Sequence, residues 1–290
     1  MAEDASAARV PPLIVIGGAT ASGKTRLSLE MADGIPGAEI ISADSRQVYR
    51  GMDVGTAKVS AADRARVPHH GLDLADPDQP FTAADFRNRA LDVLAGIAAR
   101  GGTAILVGGT GLYIRAVAEG LPLEDAGFEP AERAQLESRL AGEGLHALVA
   151  QLRAQAPGVA SSIDLANPRR VVRALERVSV HGDRPPPAPL GYPNEVTWHI
   201  LDPEPAVHAR AIVERAEWQF ANGLLEEAEA LRSRYPEDLR AFSAVGYREA
   251  FDVLAGRASI ADAITRTIQR TRQYAKRQRT WFRQESRRPA

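Results

Sequence analysis

The chain has no cysteine. Disulfides, thiol nucleophiles and cysteine-ligated zinc are therefore excluded. Its six histidines show no metal-ligand spacing such as HExxH, so any metal has to be a hard cation held by oxygens. Long apolar runs are missing too: nothing approaches the ~20 residues of a membrane span. Residues 1–12 carry Glu3 and Asp4 where a secretory signal needs basic and then apolar residues. The expectation is a cytoplasmic protein with no membrane contact. Lysine is scarce as well, since of 36 basic residues only Lys24, Lys58 and Lys276 are lysine. A bias toward arginine codons would give that count. Alternatively, a chain that uses arginine nearly everywhere keeps lysine where a compact ammonium with rotatable donors is needed and a planar fork does not fit. The second reading marks Lys58 as a functional residue.

What is present is 290 residues, 44% of them hydrophobic, enough for one large domain with a subdomain or for two small ones. Net charge is −1, unevenly spread: residues 265–288 hold nine Arg or Lys against one acid, Glu285, a local +8. Such asymmetry fits a polyanion surface at the C-terminal end, and equally a solvated amphipathic helix.

The order of patterns gives the architecture. Residues 13–16 form a short apolar run, 17–23 a glycine-rich loop and 24–32 a helical pattern, with a second strand at 39–43. Thr82 and Asp85 form a capping box that opens a helix running to Gly101 and Gly102, followed by an apolar strand at 103–107. Strands apolar on both faces, alternating with helices, predict a parallel sheet covered on both sides, a three-layer α/β fold. From about residue 120 the strand signal stops and Ala, Leu, Glu and Arg helices follow, ending in the proline-rich stretch 184–193. This predicts an all-helical insert over 121–195 within a catalytic core made of 10–120 and 196–290. Asn167 and Pro168 read as N-cap and first-turn residues of a helix on which Arg169, Arg173 and Arg177 share one face. A strand is predicted at 197–201, then helices at 205–222, 224–234, 247–254 and 260–282, a helical C-terminus.

Gly18-Ala19-Thr20-Ala21-Ser22-Gly23-Lys24-Thr25 matches GxxxxGK[ST] between a strand and a helix, the context a phosphate loop requires. Its glycines let backbone N–H groups face an anion at the positive end of the helix. Lys24 is expected to contact diphosphate oxygens and the Thr25 hydroxyl to help hold Mg²⁺. Whose phosphates these are stays open at this point. Most such loops bind ATP, and a kinase wants an acid at a second strand end. The strand at 103–107 instead runs into neutral Gly108-Gly109-Thr110-Gly111. Asp44, after the strand at 39–43, fits three roles: a metal-holding acid, a general base beside the phosphate loop, or a loop hydrogen-bond acceptor.

The phosphate loop is followed in order by Ile41-Ser42-Ala43-Asp44-Ser45-Arg46-Gln47-Val48-Tyr49, Gly51-Met52-Asp53-Val54-Gly55-Thr56-Ala57-Lys58 and Pro68-His69-His70. After these come Phe81-Thr82-Ala83-Ala84-Asp85-Phe86, Gly108-Gly109-Thr110-Gly111-Leu112-Tyr113, Val245-Gly246-Tyr247-Arg248 and Ala275-Lys276-Arg277-Gln278-Arg279-Thr280-Trp281-Phe282-Arg283. That series resembles the tRNA dimethylallyltransferases, the IPP transferase family, from about residue 13 to 283. Two departures show. Ala19 stands where the family usually has proline, harmless because that residue offers only backbone to the phosphate. The chain also stops soon after Arg283 where many relatives continue, which would trim a tRNA contact.

The resemblance implies a P-loop NTPase-like fold and transfer of a dimethylallyl group from dimethylallyl diphosphate to the exocyclic N6 amine of the adenine 3′-adjacent to the anticodon. The products would be N6-isopentenyladenosine and diphosphate. It implies that Thr20, Ser22, Gly23, Lys24 and Thr25 hold the donor with Mg²⁺, with Arg248 closing over it. Asp44 would take the amine proton and Thr110 would position the amine. Ser45, Arg46, Gln47, the segment Asn167, Pro168, Arg169, Arg170 and Val171, and the basic terminal helix with Lys276 and Arg277 would contact the anticodon stem-loop. A monomer is expected. Three other readings stand beside this one: an isopentenyltransferase for free adenine nucleotides, an ATP-dependent small-molecule kinase, and an RNA-binding module without activity. The helical insert and basic terminus disfavour the first, because a mononucleotide needs neither.

Overall fold

A computed structural model describes residues 10–123 and 130–285. Five strands form one parallel sheet: β1 (Leu13–Gly18), β2 (Ala38–Ser42), β3 (His69–His70), β4 (Thr103–Gly108) and β5 (Val196–Leu201), in the order β3-β2-β4-β1-β5. Register is set by pairs such as Ile14 with Ile105, Ile40 with Ile105 and Val15 with Trp198. Because β4 lies between β1 and β2, the chain leaving β1 crosses over to reach β2. The C-terminal ends of β1, β4 and β2 therefore sit side by side at a topological switch point, where α/β sheets bind ligands.

Both faces of the sheet are apolar, as the sequence predicts. One packs Val15, Ile41 and Leu106 with Phe86, Leu94 and Ile97 of α3 (Ala83–Ala99) and Ile114 of α4 (Gly111–Ala118). The other packs Ile16, Ile40 and Ile105 with Ala32 of α1 (Lys24–Gly34) and Val67. The Thr82–Asp85 capping box is present at the start of α3. The short helix α2 (Ala61–Arg66), the two-residue strand β3 and α4, with its buried Tyr113, Ile114, Ala116 and Val117, were not foreseen.

Two compact units result, one of residues 1–121 and 191–290 and one of 122–190. The second contains α5 (Pro130–Glu143), α6 (Leu145–Gln155), α7 (Pro157–Ser162) and α8 (Pro168–His181), with a core of Leu136, Leu148, Leu152, Val159, Val171, Val172 and Leu175. After β5 the first unit continues through α9 (Pro205–Ala221), α10 (Leu224–Arg232), a 3-10 turn (Arg240–Ser243), α11 (Tyr247–Leu254) and α12 (Ile260–Glu285). No helix among the described residues is long and apolar enough to cross a membrane. Arg287 and Arg288, counted in the basic run, lie outside the described residues.

The structure shows what holds Lys58. Its side chain is only 1% exposed, and Nζ donates to Tyr49 O at 2.6 Å, Asp53 Oδ1 at 2.7 Å and Asp73 Oδ1 at 2.6 Å. A tetrahedral ammonium with three acceptors is saturated and has no donor left for a ligand. These bonds tie the loop between β2 and β3 to Asp73 beyond β3, a set of acceptors that suits a tetrahedral ammonium better than a planar guanidinium. Lys58→Arg is expected to lose about 1–3 kcal/mol of stability through overpacking, read as a fall in the urea midpoint, with kcat per folded molecule unchanged. A fall in kcat without a stability change would restore the functional reading.

Candidate active site

The phosphate loop leaves β1 at Gly18 and enters α1 at Lys24. Two residues hold left-handed backbone, Ala21 with φ 59° and Gly23 with φ 90°, and strain at a non-glycine residue such as Ala21 persists only where surroundings over-determine it. Those surroundings are visible: Thr20 N–H donates to Gln278 Oε1 of α12 at 2.8 Å, and Thr20 O meets His208 Nε2 of α9 at 2.8 Å. Gln278 also donates to Gly109 O at 2.8 Å, tying the loop after β1 to the loop after β4. The second half of the phosphate loop is open by contrast. Gly23 gives α1 no side-chain cap, so the first N–H groups of the helix face outward without intrahelical partners. Ser22 Oγ is buried and unpartnered, an arrangement that costs free energy until an acceptor or donor arrives.

Lys24 Nζ donates to Ala19 O at 2.6 Å. Burial pulls its pKa down to about 8, with Asp44 opposing the fall and Arg215 adding to it. Arg215, on α9, is the functional candidate that sequence reading missed. Its Nη2 donates to Thr56 O at 3.2 Å, and burial holds its pKa below the ordinary arginine value against the pull of Asp44 and Tyr274. Burial disfavours both cations, and each feels the charge of Asp44, the environment in which a bound anion is favoured. Nothing marks Arg215 in a chain so rich in arginine.

Asp44 follows β2, and its Oδ1 accepts from Arg46 N at 2.8 Å, an Asx turn that fixes the side chain. Beside it, Thr110 Oγ1 accepts from Ser45 N at 3.0 Å, and Thr110 N donates to Ala43 O at 3.2 Å. The two strand ends approach so closely that a Cβ at Gly108 would lie 2.1 Å from Ala43 O, which is why glycine stands there. The charge of Asp44 reaches Lys24, Arg46, Arg215, Tyr113 and Tyr274. Tyr274, from α12, is pushed up to about 12, by burial first and Asp44 second. The carboxylate of Asp44 thus favours the charged forms of Lys24 and Arg215 and disfavours ionisation of Tyr113 and Tyr274.

The other predicted residues divide into working and supporting roles. Gln47 accepts from Ser42 Oγ at 2.7 Å and donates to Thr56 O at 3.1 Å and Ala57 O at 3.2 Å, so its side chain is a brace. Arg46 donates to Arg240 O and Ser243 Oγ, both at 2.8 Å, and ties the loop after β2 to the 3-10 turn. Arg248 is exposed in the first turn of α11. Asn167 caps α8 by accepting from Arg169 N and Arg170 N, and Pro168 is its first residue. Arg169 and Arg170 are exposed. Val171, placed in the contact segment by resemblance, is instead fully buried in the core of the second unit, and its side chain is closed to a partner. The arginine face is also reduced: Arg173 Nη1 reaches Glu176 at 3.3 Å, a carboxylate that Arg133 clamps at 2.6 and 2.8 Å. Lys276 and Arg277 are exposed on α12. A groove of about 470 Å³ between α9 and α12 is lined by His208, Arg272, Lys276, Arg279 and Arg283, with Asp202 paired to the last two.

Thr25 is exposed in the first turn of α1, and no group of three acidic or histidine side chains converges among the described residues. The donor set fits Mg²⁺ bound mainly through ligand oxygens and water, the usual habit of that ion.

Comparison with known proteins points one way. The family model described as IPP transferase matches residues 47–285. A tRNA dimethylallyltransferase of Geobacter metallireducens is 44% identical over 285 residues, covering 94% of this chain and 90% of the relative. One from a Roseiflexus species is 45% identical over 281 residues, with the same coverage of 94% and 90%. Among solved structures, the full-length tRNA isopentenylpyrophosphate transferase of Bacillus halodurans matches with a TM-score of 0.67 at 38% identity, over 94% of this chain and 86% of that one.

Proposed function

This chain belongs to the IPP transferase family, and on that footing we propose that it moves a dimethylallyl group from dimethylallyl diphosphate to N6 of the adenine 3′-adjacent to the anticodon in tRNA. It is a tRNA-modifying prenyltransferase. The observation that supports the finer reading is the setting of Asp44, a carboxylate fixed by Arg46 N–H, one residue before the Ser45 N–H that Thr110 Oγ1 accepts, and electrostatically coupled to Lys24 and Arg215. A proton acceptor next to a cationic pocket suits a reaction that releases an anion and a proton together.

In that reaction N6 attacks C1 of the dimethylallyl group, the C1–O bond breaks with its electron pair going to diphosphate, and the N6 proton passes to Asp44. The exocyclic amine is a poor nucleophile because its lone pair is delocalised, so alignment, proton removal and charge stabilisation must all be supplied. Thr110 Oγ1 accepts from Ser45 N and also hydrogen-bonds the Tyr274 hydroxyl, a polar cluster that would orient the amine. Lys24, Arg215, Ser22 Oγ and the N–H groups opening α1 hold the diphosphate. Mg²⁺, held by Thr25 and the donor's oxygens, would neutralise charge on the leaving group. Arg248 in the first turn of α11 would close over the donor. Single-stranded loops are where a protein reads RNA bases. The exposed Arg169, Arg170, Lys276 and Arg277 and the basic groove supply backbone contacts.

The test compares dimethylallyl incorporation into tRNA with phosphate release from ATP and with transfer to AMP. Prenylated tRNA with no ATP consumed and no AMP product is expected; stoichiometric ATP hydrolysis would revive a kinase, and AMP prenylation a nucleotide enzyme. In the RNA arm, Arg169→Glu with Arg170→Glu is expected to raise the tRNA KM and shallow the slope of log affinity against log salt by about 1.4, roughly 0.7 per single-strand phosphate contact. The donor KM stays put. An unchanged slope would return these arginines to solvated surface.

A further inference from the structure

Two motifs of the sequence, residues 51–58 and 245–248, meet at a side chain that sequence reading passed over, Glu227 of α10. Its carboxylate accepts four hydrogen bonds. Oε2 receives the N–H groups of Asp53 and Val54, both at 2.7 Å, and Oε1 receives Gly55 N–H at 3.0 Å and the Tyr247 hydroxyl at 2.6 Å. Three successive backbone N–H groups turned toward one point make a concave anion site, and here the protein fills it with its own carboxylate. Tyr247 is fully buried, and its ring lies so near that a Cβ on Gly55 would fall 2.5 Å from Cε2. Glycine at 55 is what lets the phenol reach Glu227.

The carbonyl side of the same loop is gripped by the active site. Gln219 Nε2 donates to Val54 O at 3.0 Å and Gly55 O at 2.8 Å, Gln47 Nε2 to Thr56 O and Ala57 O, and Arg215 Nη2 to Thr56 O. Thr56 O is the polar contact that aims Arg215, and Gln47 is the brace immediately after the Asx turn of Asp44. A displacement of residues 53–57 therefore moves the Arg215 anchor and the Gln47 brace together.

We propose that Glu227 is a positioning residue for the donor site: by fixing the N–H groups of residues 53–55 it sets where Thr56 O stands and so where Arg215 presents its guanidinium. The inference rests on the reading of Arg215 as a diphosphate ligand. It predicts coupling between two side chains that need not touch, the behaviour of groups sharing one hydrogen-bonded network.

A double-mutant cycle on the full chain, with tRNA and dimethylallyl diphosphate as substrates, tests it. Arg215→Ala is expected to raise the donor KM about tenfold or more. Glu227→Gln, which keeps the size but sets an N–H₂ among donors, is expected to raise it about 3- to 10-fold with the tRNA KM unchanged. The double variant should be no worse than Arg215→Ala alone. Additive effects would overturn the inference, and so would a lower kcat with both KM values intact, the signature of fewer folded molecules. An Arg215→Ala enzyme with the wild-type donor KM would instead remove the premise, and the inference with it. Should Glu227→Gln fail to fold, Tyr247→Phe removes one of the four bonds and leaves the three backbone ones. It is expected to give a smaller donor-specific shift that vanishes in the Arg215→Ala background, and a shift that persists there would overturn the proposal.

Discussion

Asp44→Asn is expected to lower kcat by about 10²- to 10⁴-fold while the KM values for donor and tRNA hardly move, the usual loss for a positioned proton acceptor. The substitution is chosen for what it keeps. An amide oxygen still accepts from Arg46 N, as Asp44 Oδ1 does at 2.8 Å, so the Asx turn and the strand end it follows survive. What is lost is the acceptor for the N6 proton. The carboxylate needs no unusual basicity for this role, because the amine becomes acidic only as the new C–N bond forms. One side effect has a definite sign: Asp44 supports the ammonium of Lys24 and the guanidinium of Arg215 against burial, so neutralising it lowers the pKa of Lys24 further. The comparison is therefore made near neutral pH, where the ammonium persists. Loss of Mg²⁺-dependent donor binding with normal single-turnover chemistry at saturating donor would make Asp44 a metal-site acid and sink the mechanism.

How far the sequence reaches depends on whether an interaction leaves a local trace. The phosphate loop, the capping box at Thr82 and Asp85 and the apolar strands do so, because each is written in neighbouring residues at a fixed spacing, and the structure has all of them. Arg215, Gln219 and Glu227 leave none. They act on the backbone of residues 53–57 across more than 150 positions of chain, and a side chain bonded to a distant carbonyl imposes no period. Lys58 shows the reverse failure. Its scarcity drew attention to a site that suits an ammonium, but the acceptors are the chain's own carbonyl and carboxylates. The four-residue arginine spacing on α8 was equally real, yet Glu176 within the same helix draws Arg173 inward. Periodicity gives a face; it does not say what already occupies it.

Lys24→Ala is expected to abolish measurable turnover, a loss on the order of 10³-fold or more, since removing one preorganised donor to developing charge commonly costs 10²–10³-fold in kcat and Lys24 serves both bound donor and leaving group. The ammonium is placed at a cost the free protein bears: burial holds its pKa at about 8, well under the ordinary lysine value of 10.5. For stability the sign runs against the folded state, because a lysine whose pKa falls on folding destabilises at low pH and is relieved as pH rises through about 8 toward 10.5. A diphosphate reverses this by stabilising the charged form, so donor binding takes up a proton when the pH lies above about 8. Donor affinity should then weaken by up to about tenfold per pH unit above that point, one proton's worth of linkage. Lys24→Ala should bind weakly with a flat profile over the same range, and proton uptake measured calorimetrically in two buffers should disappear with it. A Lys24→Ala enzyme that keeps both turnover and the alkaline fall in donor affinity would show that another group carries the phosphate, and the cationic pocket would have to be rebuilt around Arg215 alone.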